Sequence, residues 1–380
     1  MRIGIEANAL KNEAGTGVLV RHLIRELRAR DHEVIEFRHN LSSKGSSRPS
    51  SARRWMNGLR QALWTQVTLP LAAARRRVDV LLCPAYVGPL LSPAPVVLMV
   101  LDLTFLVEPQ TGDRLYMRYL QRLVPALAQR ARRVITISQS AATEIARLIP
   151  AAAGKVDVAY PGTPTLPSPA SGGGKIDPLP DPPPHAGEGK TTPASGGGKY
   201  VLMVGTREAR KNYARAIQAF AVFRNQGFPQ WRLIIAGGPG WAADDLAQEI
   251  DRLGLGDAVT IMGKVPASTL SNLYRDAGAL FYPSLYEGFG FPILEAMTSG
   301  CPVVTSNRSS MAEVGDAAVQ LVDPLDPESM AAGLAAVVGN GTRRDELVAK
   351  GRSRAADFSW DRFGDSVERA LQAAVSARRS

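Results

Sequence analysis

The chain alternates, in two separate stretches, between short runs of branched apolar residues and longer amphipathic segments. In the first stretch the apolar runs fall at residues 2–7, 32–37, 78–83, 96–100, 133–137 and 156–159, with helical patterns such as 18–30 and 116–130 between them. In the second they fall at 200–205, 232–236, 259–262, 280–282, 303–306 and 319–322. Helical patterns there cover 212–224, 244–253, 268–277 and 292–299, followed by helices near 327–338 and 361–376. Strands that are apolar throughout and separated by helices cannot leave a face in water, so they specify a parallel sheet covered on both sides. Two such units in series predict an α/β chain with a cleft between two doubly wound domains, and ligands at the carboxyl ends of the strands.

Residues 164–199 are of another kind. They are dense in Pro, Gly, Ser and Lys, and the octapeptide at 168–175, Ser-Pro-Ala-Ser-Gly-Gly-Gly-Lys, returns at 192–199 with Thr at its head. Without an apolar period such a segment buries too little surface to offset its ordering entropy, which predicts a flexible linker or acquired insertion. The expected organisation is therefore 1–163, the linker 164–199, 200–360, and a terminal helix in 361–380. A length of 380 residues agrees with two cores rather than one, and 45% hydrophobic with 21% charged residues excludes a chain disordered throughout, a collagen-like fibre or a coiled coil. Cys83 and Cys301 can form no disulfide framework and lack metal-ligand spacing, so they read as buried thiols.

The opening Met-Arg-Ile-Gly-Ile-Glu shows no secretory signal, and the most apolar stretch, 89–107, is broken by Pro89, Pro93, Pro95 and Asp102. The expectation is a cytoplasmic protein, soluble or peripheral on the inner membrane face. The net charge of +10 is uneven: up to Gly162 there are 23 Lys and Arg against 12 Asp and Glu, and beyond it 22 against 23. Arg53, Arg54, Arg60 and Arg75 to Arg77 surround Trp55, Leu59, Leu63 and Trp64. Such a stretch suits an anionic membrane surface or nucleic acid, or is a plain solvated face.

Four constellations carry chemistry. The densest is Glu287-Gly-Phe-Gly-Phe-Pro-Ile-Leu-Glu295, directly after the apolar run at 279–283. A strand ends, a glycine turn containing Gly288, Phe289, Gly290 and Phe291 follows, and Pro292 stands in a first helical turn, where proline is favoured. Backbone N–H groups at Gly290, Phe291 and Ile293 would form an anion site at the helix start. Glu287 is placed to accept bonds from sugar hydroxyls, and Glu295, a turn further on, from vicinal hydroxyls such as a ribose. A capped helix with two surface glutamates is the plain alternative. The second constellation is Gly205-Thr206-Arg207-Glu208-Ala209-Arg210-Lys211-Asn212. Two cations at a helix start oppose the macrodipole unless an anion lies between them, and a diphosphate would answer that conflict. The third is Gly15-Thr-Gly17 in the first strand-to-helix turn, where backbone N–H groups can approach a phosphate or sugar. The fourth is Asp102, a carboxylate at the end of a buried strand, costly unless paired or facing a cleft. No Asp-x-Asp pair or zinc spacing provides a metal site, so cations and helix N-termini must stabilise any leaving diphosphate.

The run Glu-Gly-Phe-Gly-Phe-Pro-Ile-Leu-Glu-Ala-Met resembles the signature of the family 4 (group 1) retaining glycosyltransferases, and of its bacterial mannosyltransferase-like members above all. Tyr282-Pro-Ser-Leu-Tyr286, Gly300-Cys-Pro-Val-Val-Thr-Ser-Asn307 and the ending Phe358-Ser-Trp360 resemble the same family. The resemblance implies the GT-B fold, two Rossmann-like domains with the donor held mainly by the second, and a last helix crossing back to the first. It implies Arg210 and Lys211 on the leaving pyrophosphate, Glu287 on the sugar and Glu295 on the ribose. It also implies a nucleobase near Lys264 and Val265, and Gly15, Gly17, Asp102, Gly205 and Thr206 on the donor side. No cofactor or metal is implied beyond the nucleoside diphosphate sugar substrate, with GDP-mannose first and UDP-sugars open. The acceptor would be a hydroxyl in surface polysaccharide or glycolipid synthesis, on a lipid-linked saccharide. Relatives often carry His-Asp where this chain has Leu101-Asp102, which supports the alternative of a nucleotide-sugar epimerase or a degenerate sugar-nucleotide-binding module. A nucleic-acid partner finds no recognition motif and is not expected.

Overall fold

A computed structural model describes residues 1–12, 15–39, 51–111, 114–164, 199–240 and 246–376. Most of the repeat-bearing segment 164–199 therefore lies outside the described residues. The chain forms two compact units, one from Met1–Leu106, Leu115–Gly162 and Ser359–Ser380, the other from Val107–Arg114 and Thr163–Phe358.

Each unit is built on a parallel six-stranded sheet. In the first unit the strands are β1 Arg2–Glu6, β2 Glu33–Phe37, β3 Val80–Cys83, β4 Val96–Met99, β5 Arg133–Thr136 and β6 Val156–Val158, in the order β2-β1-β3-β4-β5-β6. The central strands β3 and β4 are buried on both faces because they are apolar throughout, Val-Leu-Leu-Cys and Val-Val-Leu-Met. The Thr16–Ala29 helix joins β1 to β2. The β2-to-β3 connection runs through a helix over Ser51–Leu63, a wider π turn over Trp64–Thr68 and a helix over Leu69–Arg75.

In the second unit the strands are β7 Tyr200–Val204, β8 Arg232–Ala236, β9 Val259–Gly263, β10 Ala279–Tyr282, β11 Val303–Ser306 and β12 Gln320–Val322, in the order β12-β11-β10-β7-β8-β9. Connections leave β7 in one direction and β10 in the other. Adjacent strands whose connections diverge leave a crevice at their carboxyl ends, which is where ligands sit in open α/β sheets. Phe220, Phe223, Leu233 and Leu334 are among the buried side chains of this unit's core.

The Trp360–Ser376 helix belongs to the first unit. It packs on the Thr16–Ala29 helix and on β3, β4, β5 and β6. Its start is tight, since a side chain at Gly162 would lie 2.4 Å from the Trp360 nitrogen. Trp360 stacks on His22 at 3.9 Å, and burial lowers the His22 pKa to about 4, so that ring is a neutral packing element. Arg30, only 13% exposed, joins Glu26 to Asp361 and Asp365 of the last helix at 2.6–3.0 Å. Arg30→Ala is expected to cost about 1–2 kcal/mol, more than a single surface pair because several carboxylates share one guanidinium. Urea unfolding in low salt and in 1 M NaCl checks this. A loss that ignores salt would count against the network.

Candidate functional site at the carboxyl ends of β7 and β10

The loops after β7 and β10 meet where the second sheet's connections diverge. Leu285 N–H donates to the Arg210 carbonyl at 2.8 Å, so backbone already ties one loop to the other. After β7 the chain turns at Gly205, whose φ of +138° suits glycine, and a side chain at Gly237 in the neighbouring loop would come within 1.8 Å of the Gly205 carbonyl oxygen. Thr206 is exposed at the tip of this turn. A single 3₁₀ turn over Ala209–Lys211 then leads to Asn212, left-handed at φ +63°. The Asn212 side chain donates to the Pro283 and Pro324 carbonyls at 3.1 and 2.6 Å, an observation that ranks it among the residues holding the site.

Three of the sequence-predicted residues converge here. Glu287 is buried, with Oε2 at 2.6 Å from Arg210 Nη1 and Oε1 at 2.6 Å from Lys211 Nζ. Arg210 Nε also donates to Glu208 at 2.8 Å, and Lys211 Nζ donates to the Tyr282 hydroxyl while lying 4.7 Å over that ring's centroid. Burial pushes the Glu287 carboxyl up, but Arg210 and Lys211 outweigh it and hold the pKa at about 2. Burial lowers the Lys211 pKa, and Glu287 opposes that shift. The conflict between two cations and the following helix is thus met by a carboxylate of the chain itself. Glu287 lies before the turn, where the sequence places it, and is buried and paired with both cations.

The glycine turn leads as expected into a helix, Phe291–Thr298, with Gly290 at its N-cap in the left-handed region at φ +106°. One detail differs. The Ile293 N–H donates to the Gly290 carbonyl at 2.9 Å, closing the first turn, and so is not presented to an anion. Phe289 is buried against Phe358 and Phe291, with ring centroids 5.6 and 5.3 Å away, while Gly288 is buried beside it. Glu295, on the helix, is partly buried and accepts from the Tyr274 hydroxyl at 2.8 Å. Burial raises the Glu295 pKa and the tyrosine's bond opposes that rise.

Sequence reasoning missed Ser309, Ser310 and Tyr274. Ser309 and Ser310 donate to the Glu287 carbonyl at 2.6 and 2.8 Å, and Ser310 also reaches the Phe289 carbonyl at 3.0 Å. Ser309 holds φ +56°, rare for a non-glycine residue, so the loop that orients Glu287 is clamped at some local cost. The signal for the serines was the polar run Ser306-Asn-Arg-Ser-Ser310 after a strand; Tyr274 offered none beyond helical spacing. Tyr274→Phe is expected to raise the Glu295 pKa further, because the bond it removes opposes the rise caused by burial. Titration of the Glu295 carboxyl by NMR in wild type and variant checks this, and an unchanged pKa would indicate a packing role only.

The remaining predicted residues lie elsewhere. Lys264 and Val265 follow β9, two strands from β7 on the same sheet edge. Gly15, Gly17 and Asp102 belong to the first unit. Gly15 caps the Thr16–Ala29 helix at φ +47°, and a side chain at Gly17 would strike the Asn12 carbonyl at 1.7 Å, so both have a backbone reason to be glycine. Asp102 accepts the Thr104 N–H at 2.9 Å, which settles its carboxylate in a local turn; Leu101 beside it is buried. Glu6, at the carboxyl end of β1, was not singled out from the sequence. It is buried, accepts from Asn8, and burial raises its pKa to about 7. Among the described residues no group of His, Cys, Asp or Glu is arranged to hold a metal ion.

Residues 14–165 match the family described as Glycosyltransferase Family 4, and residues 189–354 match Glycosyl transferases group 1. The O-antigen chain mannosyltransferase B of Escherichia coli is 39% identical over 163 residues, 43% of this chain and 42% of that protein. The D-inositol 3-phosphate glycosyltransferase of Segniliparus rotundus is 30% identical over 152 residues, 39% of this chain and 34% of that protein. The chain thus spans less than half the length of these relatives. Sucrose-phosphate synthase from Thermosynechococcus elongatus superposes with a TM-score of 0.74 at 18% identity, over 99% of this chain and 100% of that one. The Anabaena protein HepE, solved with UDP and glucose, gives 0.65 at 18% identity over 98% and 99%. At such identities the likeness is one of fold, and both sheets of this chain share it.

Proposed function

Because the chain belongs to the family 4, group 1 glycosyltransferases, we propose that it moves a sugar from a nucleoside diphosphate sugar to an acceptor hydroxyl in surface polysaccharide or glycolipid synthesis, retaining the anomeric configuration. The observation that carries this reading is the pairing of Arg210 and Lys211 with buried Glu287 at the carboxyl ends of β7 and β10. When the bond to the sugar breaks, negative charge grows on the diphosphate. Two cations already held in place lower that charge's energy without reorganising. The Glu287 carboxylate keeps both cations charged and aimed until the donor arrives, then shares them with it. Glu295, oriented by Tyr274, takes the ribose hydroxyls, and Lys264 and Val265 lie by the base. In the retaining scheme the acceptor attacks on the face the diphosphate leaves, and a donor phosphate oxygen accepts its proton.

The mannosyltransferase name carried by the Escherichia coli relative supports mannose, and GDP-mannose is the first donor to test. The acceptor is read as a lipid-linked saccharide met at the inner membrane face. Among the described residues no helix is long and apolar enough to cross a membrane. Since Arg210 and Lys211 supply the positive charge, transfer is expected to continue in EDTA. A requirement for Mg²⁺ or Mn²⁺ would remove the metal-independent reading.

Thermal unfolding with GDP, UDP, ADP and dTDP in turn is the direct test, because a ligand that binds only the native state raises its melting temperature. GDP is expected to stabilise, and Glu295→Ala to lose the shift. A shift with UDP alone would move the donor to a UDP-sugar. No shift with any nucleotide would favour a degenerate site.

A further inference from the structure

We propose that the first unit docks on an anionic phospholipid bilayer through one face of its sheet, using the outer sides of two acid-free basic helices. In the β2-to-β3 connection, Thr65, Leu69 and Ala73 are buried against the core at a spacing of four. Leu59, Leu63, Val67 and Leu71 follow the same spacing two positions out of step, so they point roughly the opposite way, and with Met56 they are 47–54% exposed. A helix that is apolar outside as well as inside is unusual for a surface element, and it needs a partner that accepts aliphatic side chains. Arg60 is exposed on this element, as are Arg75, Arg76 and Arg77 at its end, and no Asp or Glu interrupts them between 51 and 77.

The second helix, Arg114–Arg130, repeats the chemistry. Leu115 is 77% exposed, Tyr116 and Tyr119 are exposed beside it, and Arg114, Arg118 and Arg122 share its outer surface, again with no Asp or Glu in the helix. Most of the exposed large apolar side chains among the described residues lie on these two elements. Topology places them on one side. The β1-to-β2 connection runs across the sheet in one sense and the later connections run in the other. With right-handed crossovers the Thr16–Ala29 helix covers one face and both basic helices cover the opposite one. The Trp360–Ser376 helix packs with Thr16–Ala29, leaving the basic face without that cover. Leucine and methionine with arginine alongside match a bilayer interface, where aliphatic groups enter the acyl boundary and guanidinium groups meet lipid phosphates.

The proposal deepens the reading that the acceptor is lipid-linked, but its test needs no turnover. The full chain is floated with vesicles of phosphatidylglycerol and phosphatidylcholine, and with phosphatidylcholine alone, while GDP-induced melting shifts are recorded on the same samples. Binding is expected to the anionic vesicles and to weaken in 0.5 M NaCl. Leu63→Ser with Leu115→Ser, and separately Arg75→Gln, Arg76→Gln and Arg77→Gln, should each lower partitioning, the arginine set by about a hundredfold. Melting temperature and nucleotide shift should stay as in the wild type, which excludes misfolding. Absence of binding, or binding that neither set of changes weakens, overturns the proposal while leaving the nucleotide result untouched. So does a dimer in sedimentation that the leucine changes dissociate, since the face would then belong to a second copy. Loss of the nucleotide shift with flotation intact would strike the transferase reading instead.

Discussion

Glu287→Gln is expected to abolish sugar transfer and to destabilise the second unit by about 3–5 kcal/mol, the usual cost of removing one partner from a buried ion pair. The carboxylate touches Arg210 and Lys211 at 2.6 Å each, and without it two like charges face each other in a buried site. The pH dependence carries a sign that can be checked. An ordinary glutamate titrates near about 4.3 in an unfolded chain, whereas Glu287 titrates at about 2 in the folded one. A depressed carboxylate contributes stability that is full above the unfolded value and lost as pH falls toward the folded one. The gap between wild type and variant, measured by urea unfolding, should therefore be constant from about pH 6 to 8 and shrink from about pH 5 down to 2. Pyrophosphate should restore part of the variant's stability, because it supplies the missing negative charge. A gap that stays the same at pH 3, or a variant indifferent to pyrophosphate, would show that the cluster is not an anion site.

Lys211→Ala is expected to lower transfer by about 10²–10³-fold, the scale on which removing a positioned stabiliser of developing charge acts. Stability should suffer much less than in the Glu287 variant. The lysine is a buried charge whose pKa burial lowers, and its removal leaves Glu287 still paired with Arg210. The two variants thus separate two roles: one carboxylate that keeps the cluster folded, and one ammonium spent on the diphosphate. The nucleotide-induced melting shift should disappear in Lys211→Ala at a melting temperature close to the wild type's. Full activity in this variant would assign the leaving-group role to Arg210 alone.

The two sheets were legible in the residues because the central strands, such as Val-Leu-Leu-Cys in β3, Val-Val-Leu-Met in β4 and Tyr-Val-Leu-Met-Val in β7, are runs of apolar residues between turn signals, and burial on both faces is the stable use of such a run. Helices were legible where an apolar stripe recurs at helical spacing, as in Thr16–Ala29 and Phe291–Thr298. Those over Ser51–Leu63, Gln139–Leu148, Ser309–Gly315 and Gly341–Ala355 were not named. In the first, arginines interleave with apolar residues on an exposed side, so the stripe was read as a charged patch. In the others the polar residues that cap or flank the helix outnumber the period.

The local content of the site was also written in the chain: a glycine turn into a helix, two glutamates eight positions apart, and an Arg-Lys pair after a strand. What no local reading could supply is which side chains the two glutamates meet. Neighbouring β7 and β10 are nearly eighty residues apart in sequence, and their pairing alone brings Arg210 and Lys211 to Glu287. The same packing brings Tyr274 to Glu295 and the two serines to the Glu287 carbonyl. Residue type sets which charges and hydrogen bonds are available, while strand order decides which of them meet. Electrostatic energy falls off with distance and rises with burial, so it is defined only once the sheet has formed.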